Sequence, residues 1–346
     1  MVKCLISMMK VGISLVFIIM LGCADHKGPR LQKFLLKGNL SSKEGNTDHA
    51  IYYFEQALKL DPCFVDALNN LGTINFGQKR LTEALNLYNR AIACRPNFLP
   101  AYFNRANTFY ELNEYFSAER DVRRIIEQKP DTAVAYFMQG LISTKMHNYP
   151  AAVTAFDKAI RIDSRNVEYR VNRGIVYYYL HQLGSAEIDL AIAAGLNPDE
   201  PNIYNTQAMI EISRGNHDKA LGRIQKSLHL SPNQPYFLNN RGFIFLMQNR
   251  LPEALSDIDR SIQLDPNNGW SYRNKGIYHL LSGNYEDAIR LLKQGLSMDS
   301  FIEKIHFYLG MAYWKNNQKR EACEQFRMSE RMGDRMATVD IMKACK

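Results

Sequence analysis

Residues 269–302 read GWSYRNKGIYHLLSGNYEDAIRLLKQGLSMDSFI, and this stretch decides the fold because its pattern recurs along the whole chain. The proline just before it belongs to a series that returns every 34 residues, with serine at two of the eight places. The series is Pro62, Pro96, Pro130, Ser164, Pro198, Pro232, Pro266 and Ser300. A fixed period of this length is typical of a stack of similar small units and argues against a globular enzyme fold.

Small and large side chains also recur at fixed positions of each 34-residue unit. If residue 31 is position 1 of the first unit, position 20 is alanine in all nine units, from Ala50 to Ala322. Position 8 is glycine or alanine and position 24 is large and apolar, as in Gly276 and Leu292. Apolar residues follow helical spacing on both sides of a turn such as that at Gly283. Each unit is therefore predicted to be a helix hairpin, with small residues allowing close approach and large ones filling the space between neighbouring hairpins.

This pattern resembles the tetratricopeptide repeat, and Tyr272, Gly276, Ala288, Leu292 and the preceding Pro266 carry the resemblance. It covers residues 31 to about 336 and implies an all-α, right-handed α-solenoid with a concave inner groove. The nine predicted units are followed by a C-terminal capping helix at 337–346. The units are 31–64, 65–98, 99–132, 133–166, 167–200, 201–234, 235–268, 269–302 and 303–336.

The first 22 residues differ from the rest of the chain. Lys3 and Lys10 precede an apolar run, Val11 to Leu21, which is shorter than the roughly 20 residues that span a bilayer. This arrangement predicts a signal peptide at 1–22. The sequence Met20-Leu21-Gly22-Cys23 resembles a bacterial lipobox, which implies that a diacylglycerol is attached to the thiol of Cys23. The alternative is a plain signal peptide followed by an incidental cysteine.

A lipid on Cys23 would make residues 23–30 a short membrane tether. From Ala24 to Arg30 the extended chain reaches about 25 Å, so the first unit is expected close to the membrane. The resemblance to lipoproteins implies the cell envelope, and Ala24, where inner-membrane retention uses aspartate, implies the outer membrane facing the periplasm. Loss of the signal peptide lowers the formal net charge from +8 to +6, which suits anionic headgroups or an acidic partner. No dense basic run or recognition motif predicts a nucleic-acid partner.

Two cysteines near the C-terminus are predicted to form a disulfide. Cys323 begins the last second helix, and Cys345 lies at the end of the capping helix, after the turn at Gly333. At about 1.5 Å rise per residue, an antiparallel pair of helices brings the two sulfurs side by side. Such a bond suits an oxidising compartment, and the alternative is two buried free thiols. Cys63 and Cys94 have no partner that the sequence identifies.

Alternate units carry a pair of opposite charges. Position 7 is arginine and position 23 is aspartate in the third, fifth and seventh units only. The pairs are Arg105 with Asp121, Arg173 with Asp189, and Arg241 with Asp257. We predict an ion pair across the hairpin, since a planar guanidinium matches a buried carboxylate. The alternative is a set of alternating charges that contact a ligand.

The resemblance places the first helix of each hairpin on the concave wall, where asparagine recurs at position 6. These residues are Asn70, Asn104, Asn172, Asn240 and Asn274. Each side chain offers a donor and an acceptor, so the row is predicted to bind the backbone of an extended peptide. Tyr236 and Trp270 are predicted to add exposed aromatic anchors for the partner. The alternative is a solvated inner face.

Catalytic motifs are missing from the sequence. The eight histidines are scattered, and there is no Cys-x-x-Cys, Gly-x-Ser-x-Gly or phosphate-binding loop. We therefore predict a non-enzymatic protein without cofactor, metal or small-molecule substrate. It is expected to be a scaffold or assembly accessory at the cell envelope that holds an extended segment of a partner protein. The alternatives are a structural scaffold that docks folded partners by its outer face, and a secreted chaperone cofactor without a lipid anchor.

Overall fold

The computed structural model describes residues 27–334, together with Lys343 and Cys345. All the regular elements in this part of the chain are α-helices, and there are eighteen of them. The fold is an α-solenoid of helix hairpins, as the repeat predicts. The chain divides into two compact units, of which the first ends at Glu114 and the second starts at Tyr115.

The helices are numbered in chain order, so odd numbers are first helices of hairpins and even numbers are second helices. The first unit contains α1 (Lys27–Lys43), α2 (Thr47–Leu60), α3 (Val65–Gly77), α4 (Leu81–Cys94) and α5 (Leu99–Glu111). The second unit contains α6 (Tyr115–Gln128), α7 (Ala133–Lys145), α8 (Tyr149–Ile162), α9 (Val167–Tyr179), α10 (Leu183–Leu196), α11 (Pro201–Ser213), α12 (His217–Leu230), α13 (Pro235–Met247), α14 (Leu251–Leu264), α15 (Gly269–Leu281), α16 (Tyr285–Met298), α17 (Ile305–Lys315) and α18 (Lys319–Arg331).

The turn inside each described hairpin has the same backbone conformation. One residue with a positive φ lies at the same position of the repeat in every case. These residues are Gly45, Lys79, Asn113, His147, His181, Gly215, Asn249, Gly283 and Asn317. Glycine adopts this conformation without a steric penalty and asparagine tolerates it better than most residues. The backbone conformation of the turns therefore repeats every 34 residues, as the sequence does.

Position 8 and position 24 meet inside a single hairpin. A methyl group added to Gly276 would lie 2.6 Å from Cγ of Leu292, and one added to Gly310 would lie 2.6 Å from the ring of Phe326. The pattern predicts that position 24 fills the space between hairpins, but these residues first fill the space that glycine leaves in their own hairpin. Phe156 fills the space in its own hairpin and also packs between hairpins, because its core cluster includes Tyr169 of the next hairpin.

The ion pair predicted across the hairpin is present in the fifth and seventh repeats. Nε and Nη2 of Arg173 donate to the two oxygens of Asp189 at 2.7 and 2.6 Å, and Arg241 binds Asp257 in the same way. Only 2% of the Asp189 side chain is exposed. The hydrogen bond to Asp189 outweighs the effect of burial and raises the pKa of Arg173. These charges therefore lie inside a hairpin and bind each other.

Two disulfides join the four cysteines of the described residues. Cys323 on α18 is bonded to Cys345, the pair proposed from the sequence, with Cα atoms 5.3 Å apart. Cys63, in the loop after α2, is bonded to Cys94 at the end of α4, with Cα atoms 5.5 Å apart. The sequence separation of Cys63 and Cys94 is 31, nearly one repeat, so stacking of consecutive hairpins brings the ends of their second helices together.

Several of the predicted segments lie at the two ends of the chain. The signal peptide at 1–22, Cys23 and most of the capping helix at 337–346 lie outside the described residues. Because α1 begins at Lys27, the last four residues of the predicted tether are helical. The predicted start of the ninth unit at 303 also differs, since α17 begins only at Ile305.

The described helices include none with the length and apolar character that crossing a membrane requires.

We expect Asp189→Ala to lower the free energy of unfolding by about 3 kcal/mol, the low end for a broken buried pair, because the mostly buried Arg173 guanidinium keeps only the half-exposed Asp157 as its partner. Asp157→Ala is the matched control: its carboxylate also binds Arg173, at 2.6 Å, but the side chain is 40% exposed. That change should cost about 1 kcal/mol or less. Chemical denaturation of both variants measures the difference, and equal losses would contradict the buried pair.

Candidate functional site

The inner surface of the second unit contains a cavity of about 220 Å³. It lies on the first helices α9, α11, α13 and α15 and is bordered by the loop that precedes α17. Its wall combines aromatic rings, amides and one carboxylate. The residues that matter most are Tyr178, Tyr236, Trp270, Asn205, Asn240 and Glu303.

Most of these side chains come from one face of the first helices. In α11, Asn202, Asn205 and Met209 lie at i, i+3 and i+7, which a helix with 3.6 residues per turn places on one side. Tyr236 of α13 and Trp270 of α15 occupy the same repeat position as Asn202. Stacking of the first helices therefore aligns these side chains in a row across the hairpins.

The asparagines at position 6 connect neighbouring first helices. Nδ2 of Asn240 donates to Oδ1 of Asn205 at 2.7 Å, and Nδ2 of Asn104 donates to Oδ1 of Asn69 at 2.9 Å. Asn70 makes a similar bond to an asparagine of α1 at 2.8 Å. The donors of this row hold adjacent hairpins in register. The side-chain oxygen of Asn70 in turn accepts from Nδ2 of Asn69 at 3.3 Å.

Two asparagines of the predicted row behave differently. Asn274 is completely buried: its Nδ2 donates to Oδ1 of Asn239 at 2.8 Å, and its Oδ1 accepts from Nε and Nη2 of Arg273 at 3.0 and 2.8 Å. The prediction that Asn274 binds a peptide is wrong, because packing against α13 covers the amide and leaves it no exposed surface. Asn172 donates to the backbone carbonyl of Glu168 in its own helix at 2.9 Å.

The two predicted aromatic anchors also differ in exposure. Tyr236 is 48% exposed and presents its ring to the cavity. Trp270 is half-buried, with the Arg273 guanidinium 4.8 Å from the centre of its ring. The same guanidinium lies 4.8 Å from the centre of the Phe243 ring. This cation–π arrangement makes Trp270 a fixed wall of the cavity, whereas Tyr236 is the accessible anchor.

Glu303 supplies the negative charge of the cavity. Its Oε1 lies 2.7 Å from Nζ of Lys304. Burial acts to raise the pKa of Glu303, but the positive charges of Lys304 and Arg273 outweigh it and the pKa lies below its usual value. The carboxylate is therefore ionised at neutral pH. Burial raises the pKa of the neighbouring Tyr178 to about 12, so this phenol is neutral.

A group of rings closes one side of this inner surface. The rings of His147 and Phe301 stack with their centres 4.2 Å apart, and those of Tyr149 and Tyr179 stack at 5.4 Å. Nδ1 of His147 lies 3.1 Å from the hydroxyl of Tyr149. Because His147 and Phe301 are far apart in sequence, the second unit curves until the turn of its α7–α8 hairpin meets the loop before α17.

The cavity brings together only part of the predicted site. Tyr236, Asn240 and Trp270 line it, whereas Asn70 and Asn104 lie in the first unit. Tyr178 and Asn205 could have been found by asking which repeat positions share a helix face with Tyr236. Glu303 had no such signal, because its place depends on the path of a loop.

Hairpins in fixed register, with a recess on their first helices, define a helical repeat protein. Family models described as tetratricopeptide repeat match residues 35–97 and 205–269, residues 87–120 and 258–290, and residues 133–166. Together these matches cover more than half of the chain. The chain belongs to the tetratricopeptide repeat family.

Individual relatives match over part of their length. Human tetratricopeptide repeat protein 6 is 24% identical over 184 residues, which are 52% of this chain and 35% of that protein. Hsp70-Hsp90 organizing protein 3 of Arabidopsis thaliana is 26% identical over 145 residues, 42% of this chain and 24% of that protein. The chain thus spans about a third or less of these relatives. A chain in the crystal structure of the APC/C hetero-tetramer Cut9-Hcn1 shares the fold, with a TM-score of 0.62, 18% identity and coverage of 93% of this chain and 64% of that one.

We expect Asn274→Ala to destabilise the protein by about 1–3 kcal/mol, because it leaves the buried donors of Arg273 and the amide of Asn239 without a partner. Asn172→Ala, at the same repeat position, removes only a bond to its own helix and should change stability by about 0.5 kcal/mol or less. Thermal unfolding of the two variants compares them. A larger loss for Asn172→Ala would show that Asn274 is not a structural residue.

Proposed function

We propose that this protein is a non-enzymatic scaffold or assembly accessory that holds an extended segment of a partner protein on the inner face of its second unit. The observation that carries the proposal is the cavity in which Asn205, Asn240 and Tyr236 converge. Ligand pockets in proteins combine apolar walls with a few polar groups that point inward. This cavity has that composition, and it lies in a row of side chains that continues from α9 to α15.

The chemistry of the wall suits a peptide backbone. An extended segment presents N–H and C=O groups along both edges, so it needs acceptors and donors in a row. The carbonyl oxygen of Asn240 serves as an acceptor, since its Nδ2 is already bound to Asn205. The amide of Gln234 supplies both kinds of group at the border of the cavity. Binding of this type depends on the backbone and tolerates many partner sequences, while the Tyr236 ring supports an apolar side chain.

The names of two relatives agree with a role in handling other proteins. One is an Hsp70-Hsp90 organizing protein, and another, mouse TOM70, is a mitochondrial import receptor subunit that is 22% identical over 210 residues. Both names describe proteins that bind proteins. We extend only this general role to the present chain, and the cavity provides its structural basis.

We place the protein at the cell envelope, lipid-anchored through Cys23 and facing the periplasm from the outer membrane. The lipobox-like residues before Cys23 support the anchor. The disulfides that join Cys63 to Cys94 and Cys323 to Cys345 support an oxidising compartment. An exported scaffold of this kind would hold its partner close to the membrane.

The outer face of α10 favours a second candidate, a scaffold that docks folded partners. Ile188 and Ile192 of α10 are 64% and 42% exposed. At the same repeat positions α12 carries Gly222 and Lys226, so of these two helices α10 has the apolar row and α12 does not. Exposed apolar residues on one helix face can mark a protein interface.

A photoreactive phenylalanine at Tyr236 should crosslink to a partner protein in intact cells, because this ring borders the cavity and is accessible. The same residue placed at Ile188 is the control for the outer face. We expect adducts from Tyr236, and we expect Asn205→Ala together with Asn240→Ala to reduce them several-fold. Adducts from Ile188 alone, identified by mass spectrometry, would favour docking by the outer face.

Cys23→Ser should abolish labelling by radioactive palmitate and release the protein into the soluble fraction, because the thiol is the proposed site of lipid attachment. Cys4→Ser removes the other cysteine of the N-terminal segment and should leave labelling and fractionation unchanged. If the Cys23→Ser protein still sediments with membranes and still incorporates palmitate, the anchor is not at this residue. A secreted cofactor without a lipid would show no labelling in any variant.

A further inference from the structure

The loop between α16 and α17 departs from the repeat in three ways. Ser300 stands where proline is usual, α17 starts at Ile305, and Lys304 has a φ of 60°. The other non-glycine residues with positive φ in the described chain all lie in the turns inside hairpins. A lysine held in the left-handed region costs free energy, and such strain persists only where surrounding contacts fix it.

Contacts on both sides fix this loop. Nη1 of Arg273 donates to the backbone carbonyl of Glu303 at 3.0 Å, and the backbone N–H of Lys304 donates to Asp334 at 3.2 Å. Ile302 is completely buried. These contacts hold the loop in a fixed position on the inner surface. The loop brings the carboxylate of Glu303 into a cavity that is otherwise lined mainly by aromatic, amide and apolar side chains.

Two carboxylates belong to this part of the inner surface: Glu303 lines the cavity, and Asp299 acts on Tyr179 of its wall. Burial is the main cause of the raised pKa of the Tyr149 and Tyr179 phenols. Asp299 and Glu303 add to both, at Tyr179 after the neighbouring Tyr149 and Tyr178. The groups whose positive charge acts on Glu303 are Lys304, which binds Oε1, Arg273, whose guanidinium is buried between Trp270 and Phe243, and His181. The Glu303 side chain is 33% exposed, and a carboxylate accepts several hydrogen bonds, so it can accept one from a ligand as well as the one from Lys304.

The size of the cavity limits what can enter it. About 220 Å³ lies below the usual range of about 300–1,000 Å³ for sites that hold a complete small molecule, so it suits one side chain of a longer ligand. A lysine or arginine side chain has an apolar stem that packs on aromatic rings and a cationic end that binds a carboxylate. Tyr178 and Tyr236 supply the rings and Glu303 supplies the carboxylate.

We propose that this cavity is a specificity pocket for a lysine or arginine side chain of the bound segment, with the cation on Glu303 and the stem against Tyr178 and Tyr236. The inference rests on the proposed function, since it names the chemistry of the partner that the groove holds. It distinguishes basic extended segments from acidic ones, which the Glu303 carboxylate in the wall disfavours.

Phage display of random peptides against the purified protein without its signal peptide tests the proposal. We expect binders to the native sequence to share a lysine or arginine at one position, and selection against Glu303→Gln to lose this preference. Glu330→Gln removes the same charge from α18, outside the cavity, and should keep the preference. Binders without a basic position would overturn the pocket and leave the groove intact, whereas binders that are unaffected by Asn205→Ala and Asn240→Ala would overturn the groove itself.

One selected peptide then gives the quantitative test. Replacement of its basic residue by norleucine, which keeps the stem and removes the charge, should weaken binding to the native protein about tenfold in fluorescence anisotropy. The same replacement should change binding to Glu303→Gln by less than about twofold, because the charge has lost its partner. Equal losses for the two proteins would show that Glu303 does not recognise the cation, and circular dichroism checks that both are folded.

Discussion

The close approach of the two helices in each hairpin is the constraint on which the rest of the structure depends. The alanines at position 20 have no exposed surface in any described hairpin, and glycine at position 8 leaves room for a ring or branched side chain at position 24. Protein interiors are packed closely enough that even one added methyl group is felt. Every hairpin therefore has nearly the same thickness, and successive first helices can align.

Because the core is determined by these few positions, the remaining positions of the first helix are free to differ. Residues at some of these positions form internal polar contacts: Arg173 binds Asp189, and Arg273 binds Asn274. These buried groups are satisfied, as buried polar groups in native proteins generally are. Others face the inner surface, where Tyr236 has kept an accessible ring. The same helix thus contributes to the core on one side and to the inner surface on the other.

The loop before α17 shows how a single departure from the repeat changes the inner surface. A regular turn would start α17 near residue 303 and keep that position in the helix. Instead the loop carries Glu303 to the cavity and Phe301 to His147, so the ninth repeat contributes to a recess formed by the fifth to eighth. A periodic scaffold acquires a distinct site where its period is interrupted.

The sequence by itself determined the all-α class, the length and register of the hairpins, the turns, the small residues of the core and the Arg173–Asp189 pair. Those features depend on contacts within one repeat, which the 34-residue period displays directly. Only the tertiary structure decided that Asn274 is buried, that Cys63 meets Cys94 and that Glu303 enters the cavity. The physical reason is that these contacts join different repeats. They depend on the stacking and curvature of the second unit, or on neighbouring hairpins in the first, and no residue spacing within one repeat records that geometry.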